Sequence, residues 1–178
     1  MQVAASTRGD VIRDVLGLVA RFGLATIWFI SGIAKAVDPR TTLVAVRGYQ
    51  LFPDSLAELL AAVLPYLEIA LGLLLVIGMA TRLAAVLSAV LLVAFIAGVI
   101  SAAARGLSID CGCFGGGGVV PSDQTAYTAE ILRDLGFLLL AGYLIVRPST
   151  PLSIDRWVHR RSGGPAQAEA SAGSQQPA

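Results

Sequence analysis

Four long apolar segments occupy most of this 178-residue chain and leave little choice of fold. A helix needs roughly 20 apolar residues to cross a bilayer, at about 1.5 Å of rise per residue. The predicted spans cover residues 15–37, 59–81, 83–104 and 126–146. The third contains no charged residue, whereas the fourth includes Glu130, Arg133 and Asp134. We therefore predict an all-α integral membrane protein, a four-helix bundle over residues 15–147.

The composition supports this class and excludes others. Hydrophobic residues make up 56% of the chain and charged residues only 14%, against about 25% charged residues in an average soluble domain. The 13 basic and 12 acidic residues nearly cancel, whereas a nucleic-acid-binding protein normally carries a basic excess. The lipid bilayer is thus an expected partner and nucleic acid is not. Two cysteines are too few for a disulfide scaffold or an all-protein zinc or iron–sulfur site, so no metal is predicted.

The distribution of Lys and Arg predicts the orientation, because these residues are enriched in cytoplasmic loops. With four spans, both termini and the turn between spans two and three share one side. That side holds seven basic residues, namely Arg8, Arg13, Arg82, Arg147, Arg156, Arg160 and Arg161. The other side holds at most five, namely Lys35, Arg40, Arg47, Arg105 and Arg133. Both termini are therefore predicted to be cytoplasmic.

The segments that flank the bundle are more polar. Residues 1–14 form a cytoplasmic N-terminal lead. Residues 148–161 form a basic segment with Trp157, which we expect at the headgroup level of the membrane. Residues 162–178 are rich in Gly, Ala, Ser, Gln and Pro and are expected to be disordered.

The segment Cys111-Gly112-Cys113 lies between the third and fourth spans, on the predicted outer side, where disulfides can persist. The intervening glycine permits the tight backbone of a bridge. A ring this small should be strained, and strained disulfides tend to be catalytic or regulatory. Thiol–disulfide exchange is therefore the preferred hypothesis. Inert cysteines, or half of a metal site shared between two chains, are the alternatives.

Several short motifs follow in a recognisable order. The first span ends in SGIAKAVDP (31–39), and Tyr49 and Pro53 come next. Further motifs are PYLE (65–68) followed by Gly72, Gly78 and Arg82, then Gly106, CGCFG (111–115) and the pair Arg133-Asp134. In this order the motifs resemble those of the MauE branch of the DoxX-like membrane proteins, from about residue 21 to residue 147.

The resemblance implies a four-helix protein of the bacterial cytoplasmic membrane that is associated with redox or disulfide chemistry. Methylamine-utilisation members act in maturing a disulfide-rich dehydrogenase subunit, usually with a thioredoxin-like partner. An extracytoplasmic thioredoxin-like protein and a membrane redox complex are therefore the implied partners. Analogy with other four-helix thiol oxidases points to quinone as electron acceptor. The expected function is a quinone-linked thiol–disulfide oxidoreductase that supports disulfide formation in an exported protein.

Two other functions remain open at this stage. The first is a non-catalytic assembly subunit of a membrane redox complex. The second is a small transporter with Lys35 and Glu68 on its path.

Ionisable side chains within membrane spans are costly and are usually functional or paired. Residues 56–64 have one apolar stripe and are predicted to form a separate shallow helix that ends before Pro65, which places Glu68 near the outer face. Lys35, Glu68 and the pair Arg133-Asp134 would then converge beneath the cysteines. Glu68 would pair with one cation, and the other would lower the pKa of a cysteine. A purely structural ion-pair network, or cations that reach the headgroups, is the alternative.

Four aromatic side chains are candidates for contact with a quinone or a partner. They are Trp28 in the first span, Tyr49 and Phe52 in the first outer loop, and Phe114 beside the cysteines. Packing or lipid contact is the alternative for Trp28.

Overall fold

The computed structural model describes residues 8–147, which are mostly helical. The five helices are α1 (Arg8–Val37), α2 (Pro39–Gly48), α3 (Asp54–Ile77), α4 (Thr81–Ala104) and α5 (Tyr127–Val146). Between α4 and α5, the short strands β1 (Ile109–Asp110) and β2 (Gly118–Val119) pair antiparallel, and Ser122–Gln124 form a 3-10 turn. The predictions for residues 1–7, for the basic segment 148–161 and for the tail 162–178 lie outside the described residues.

Three of these helices are long and apolar enough to cross a membrane: residues Val11–Val37 of α1, α3 and α4. Large apolar side chains such as Val19, Val63 and Val90 are 51–60% exposed on their outer faces. Apolar surface of this extent is typical of contact with lipid, and the chain is a membrane protein. The predicted fourth span corresponds to the 20-residue helix α5, which is not among the three.

The helices pack as two main pairs, α1 with α3 and α4 with α5. Helices approach closely in membranes where one of them has a small residue. A side chain at Gly32 of α1 would lie 2.8 Å from the carbonyl oxygen of Pro65 in α3, so only glycine permits this approach. The Trp28 indole Nε1 donates a hydrogen bond to Ser88 Oγ at 2.8 Å, which joins α1 to α4 in the core.

The structure corrects one local expectation. Helix α3 runs unbroken from Asp54 through Pro65 to Ile77, so the prediction of a separate shallow helix over residues 56–64 is wrong. A proline is tolerated inside a membrane helix where neighbouring groups compensate for the lost hydrogen bond. Helix α1 begins at Arg8 and therefore includes half of the predicted N-terminal lead.

Helix α2 lies between the first two predicted spans, in a segment for which the sequence analysis assigned no helix. Its start is encoded locally, because Asp38 caps it. The Asp38 carboxylate accepts hydrogen bonds from the Thr41 backbone N–H at 3.0 Å and from Thr41 Oγ1 at 2.6 Å. Pro39 occupies the first turn of the helix, where its missing N–H costs nothing. These two hydrogen bonds also lower the pKa of Asp38.

Candidate functional site

The Cys-Gly-Cys segment lies at the end of the bundle where α1 ends, α3 begins, α4 ends and α5 begins. Strands β1 and β2 fold the loop back so that its backbone presses against α2. Gly112 has a φ of +67°, and a side chain there would lie 2.6 Å from the Cβ atom of Ala45. Only glycine fits between the two cysteines, because the backbone is left-handed and the space is filled.

The two thiols are adjacent and buried. Cys111 and Cys113 are free cysteines with 8% and 7% of their surface exposed. The Cys113 backbone N–H donates to Cys111 Sγ at 3.3 Å. Arg133 Nη2 lies 4.0 Å from Cys111 Sγ, and its guanidinium carbon lies 4.6 Å from the centre of the Phe114 ring. Asp134 holds Arg133 in place, since Oδ1 accepts from Arg133 Nε at 3.1 Å.

This geometry makes the two thiols unequal. Hydrogen bonding from Cys113 lowers the pKa of Cys111 against the opposing effect of burial, and Arg133 contributes to the decrease. The same interaction with Cys111, together with burial, raises the pKa of Cys113 well above its ordinary value. Cys111 therefore forms a thiolate first while Cys113 keeps its proton, and the thiolate is the nucleophile in disulfide chemistry.

A buried polar network lies directly beneath the cysteines. Lys35 Nζ contacts Glu68 Oε1 at 2.9 Å, Glu68 Oε2 at 3.0 Å and Ser31 Oγ at 2.5 Å. Lys35 is 5% exposed and Glu68 is fully buried. The backbone carbonyl oxygen of Cys113 accepts from Lys35 Nζ at 3.0 Å and lies 2.6 Å from Ser31 Oγ. The pair of Lys35 and Glu68 thus lies at the backbone of the loop. The pair of Arg133 and Asp134 lies at the thiol of Cys111.

Two tyrosines fix the loop from either side. The Tyr49 hydroxyl donates to the Cys111 carbonyl oxygen at 3.1 Å, and burial raises the pKa of Tyr49, so it keeps its proton. The Tyr127 hydroxyl donates to the Leu107 carbonyl oxygen at 2.6 Å and accepts from the Ile109 N–H at 3.0 Å. Tyr127 was not predicted as a site residue, because no sequence spacing relates it to strand β1, which contains Ile109.

The sequence analysis also missed three residues close to Cys111 or to the buried network. Ser31 lies four residues before Lys35, a spacing that places both on one helix face and that could have identified it. Asp110 and Glu130 each place one oxygen within 4.8 Å of Cys111 Sγ and of each other. One oxygen of Glu130, Oε2, is buried and has no hydrogen-bond partner among the described residues.

Two carboxylates and a thiolate can hold a divalent cation or accept a thiol proton. The expectation of no metal was based on the number of cysteines and did not consider this group of Asp110, Cys111 and Glu130. The structure therefore adds a candidate ligand set and a candidate proton acceptor at Cys111.

An apolar cavity of about 550 Å³ lies beside the cysteines, between α2, α3 and α4. Both thiol-bearing residues line it, together with Tyr49 and Phe52. The other two aromatic candidates lie elsewhere. Trp28 is 1% exposed in the helical core, where its ring is 6.4 Å from that of Phe95, and the Phe114 ring stacks under Arg133.

Comparison with known proteins confirms the family resemblance. The profile of the family "Methylamine utilisation protein MauE" matches residues 13–147, which include both cysteines, helices α2 to α5 and all but the first five residues of α1. Methylamine utilization protein MauE of Paracoccus denitrificans is 34% identical over 132 residues, which is 74% of this chain and 69% of that protein. No solved structure matches the chain at a significant level.

Proposed function

The chain belongs to the MauE family of methylamine utilisation proteins, and from that premise we propose that it is a thiol–disulfide redox protein of the bacterial cytoplasmic membrane. Its partner is an extracytoplasmic thioredoxin-like protein, and its products are disulfides in exported proteins. The observation that carries this proposal is the pair of adjacent but unequal thiols, with Arg133 Nη2 at 4.0 Å from Cys111 Sγ.

The proposed topology has four spans, cytoplasmic termini and an outer cysteine loop. Helix α5 is the fourth span in this proposal. Its charged residues Glu130, Arg133 and Asp134 all fall in its first two turns, at the end that meets the loop. Arg133 and Asp134 also neutralise each other through a 3.1 Å ion pair. The segment after Asp134, residues 135–146, contains no charge and continues into the core at Ala141 and Leu144.

The exchange starts from the reduced pair with the Cys111 thiolate as nucleophile. A bond forms between Cys111 Sγ and one sulfur of the partner disulfide, that disulfide breaks, and the second partner sulfur leaves as a thiolate. Cys113 then loses its proton, and its sulfur attacks Cys111 Sγ. The bond between Cys111 and the partner breaks as the intramolecular disulfide closes, and the two partner thiolates become a dithiol by taking up the proton from Cys113 and one from water. The same steps in reverse oxidise the partner.

The experiment that tests this proposal is the redox state of the two cysteines in intact membranes. Samples are trapped with acid and alkylated with a mass tag before and after addition of reduced thioredoxin as the probe partner. We expect the oxidised pair to become reduced while thioredoxin becomes oxidised in equal amount. In a separate sample that receives oxidised thioredoxin, whose disulfide the remaining thiolate attacks, we expect Cys113→Ser to form a mixed disulfide with thioredoxin and Cys111→Ser not to do so. A pair that never changes its redox state overturns the proposal.

One observation favours a second function, the non-catalytic assembly subunit. Both thiols are more than nine-tenths buried, and hydrogen bonds from Tyr49, Ser31 and Lys35 hold their backbone. A cysteine pair of this kind can also serve to fix the loop. That function predicts a permanently oxidised bridge in the same trapping experiment and weaker assembly of the membrane complex when both cysteines are replaced by serine.

A further inference from the structure

We propose that the 550 Å³ cavity between α2, α3 and α4 binds the ring of a membrane quinone, which accepts the two electrons of the Cys111–Cys113 dithiol. This inference rests on the proposed function, because it names the electron acceptor at the same cysteine pair.

The cavity has the size and the lining of a small-molecule site. Ligand cavities in proteins commonly measure 300–1,000 Å³ and are mostly apolar with a few polar groups. Leu60 and Leu64 of α3 and Leu91 and Ala94 of α4 form apolar walls here. Both helices are membrane-capable, and Leu51 and Phe52 are each 45% exposed. A lipid-soluble molecule can therefore reach the cavity from the bilayer.

The polar groups of this cavity are few and lie close to the thiols. Both cysteines line it, as do Tyr49 and Lys35. A quinone is a flat apolar ring with two carbonyl oxygens, which accept hydrogen bonds from groups of this kind. An acyl chain would match the apolar walls equally well, but it can neither accept hydrogen bonds from the polar residues nor accept electrons from the two thiols.

The electron balance closes with a quinone and needs no other reactant. The two S–H bonds of the dithiol break, one S–S bond forms, and two electrons and two protons are released. The quinone takes up the same two electrons and two protons, at its two ring oxygens, and becomes a quinol. The pair is then oxidised again and ready for a further thioredoxin-like dithiol.

The test measures reoxidation without the partner, so that failure of the exchange proposal is seen separately. The protein in lipid nanodiscs is reduced with dithiothreitol, which is then removed, and ubiquinone-1 is added without oxygen. Disulfide formation and quinol formation are followed together. We expect one quinol per disulfide formed.

Two tryptophan variants on adjacent positions of α4 provide the matched comparison. Ala94→Trp fills the cavity, and we expect it to slow reoxidation at least about tenfold. Val93→Trp adds the same bulk at the same depth but on an exposed position outside the cavity, and its rate should stay within about twofold of wild type. Equal rates for both variants, or no reoxidation of the wild type by quinone, would overturn the inference.

A binding measurement removes the redox chemistry altogether. The Cys111→Ser/Cys113→Ser variant is irradiated with an azidoquinone, and the labelled peptides are mapped by mass spectrometry. We expect label on α2 and α4 that unmodified ubiquinone displaces and that Ala94→Trp abolishes. Label spread evenly over lipid-facing positions would show that the cavity holds lipid alone, and this would also overturn the inference.

Discussion

Replacement of Glu68 by glutamine should destabilise the protein strongly, although the change is nearly isosteric. Glu68 is fully buried, and both of its carboxylate oxygens lie within 3.0 Å of Lys35 Nζ. In the variant the buried ammonium group keeps only neutral acceptors, Ser31 Oγ and the Cys113 carbonyl oxygen. Breaking a buried pair from one side costs about 3–5 kcal/mol, because the remaining charge is uncompensated. Because the amide oxygen of glutamine can still accept a hydrogen bond from Lys35, we expect a loss in unfolding free energy at the low end of this range, about 3 kcal/mol.

The measurement is equilibrium unfolding in mixed micelles, followed by helical circular dichroism. Arg47→Gln is the matched control, because Arg47 pairs with Asp54 and Glu58 at 3.0 and 2.9 Å but is 43% exposed. Exposed pairs contribute about 0–1 kcal/mol, so the control should change the unfolding free energy by no more than that. A double variant, Lys35→Met with Glu68→Met, should recover most of the lost stability, since both charges are then gone.

Two results would refute this reasoning. One is a Glu68→Gln variant as stable as the Arg47→Gln control, which would mean that water or lipid headgroups solvate Lys35 in the folded protein. The other is a double variant less stable than either single variant. That result would mean that the polar network is needed for its hydrogen bonds to the Cys113 backbone and not for its charge balance.

Three further predictions concern the cysteine loop itself. The thiolate is the species that reacts, so in the reduced wild-type protein alkylation of Cys111 should reach half its maximal rate at a lower pH than alkylation of free cysteine, and alkylation of Cys113 at a higher pH. Site-resolved mass spectrometry across pH measures both rates, and the reverse order would contradict the assignment. Arg133→Met should move the Cys111 profile to higher pH and leave helix content unchanged, whereas an unmoved profile would show that Arg133 does not act on the thiol. Gly106→Ala should lower the free energy of unfolding by about 1 kcal/mol, because the backbone there is left-handed but the space around it is open. Gly112→Ala should lower it by about 1–3 kcal/mol more, because the new methyl group contacts an α2 side chain. Equal unfolding midpoints for the two variants would show that Gly112 is not crowded.

The parts of the fold that the sequence predicts are those that lipid imposes. A helix must be long and apolar to cross a bilayer, so the three membrane-capable helices and the loop with Cys111 and Cys113 are visible in the pattern. The unbroken path of α3 through Pro65 is not visible. Gly32 of α1 packs against the Pro65 carbonyl oxygen, and a proline rule applied to α3 alone takes no account of such a neighbour and predicts a break.

The candidate site was predictable to a similar extent. Lys35 and Glu68 stand out because charge inside a membrane span needs a partner, and the structure pairs them. Glu130 and Asp110 do not stand out, because their proximity to Cys111 depends on how the loop between α4 and α5 folds back through β1 and β2. Trp28 packs in the core, where its indole donates a hydrogen bond to Ser88, and this arrangement favours the alternative of packing over quinone contact.

The two basic side chains of the site act on different atoms, and this has a consequence for the chemistry. Lys35 holds the backbone of Cys113 through its carbonyl oxygen, while Arg133 approaches the sulfur of Cys111. The position of the loop and the acidity of the nucleophile are therefore set by separate groups. Changes at Glu68 should alter stability and the geometry of the pair together, whereas changes at Arg133 should alter thiol acidity alone. A variant series at these two positions would thus separate what holds the cysteines in place from what makes Cys111 reactive.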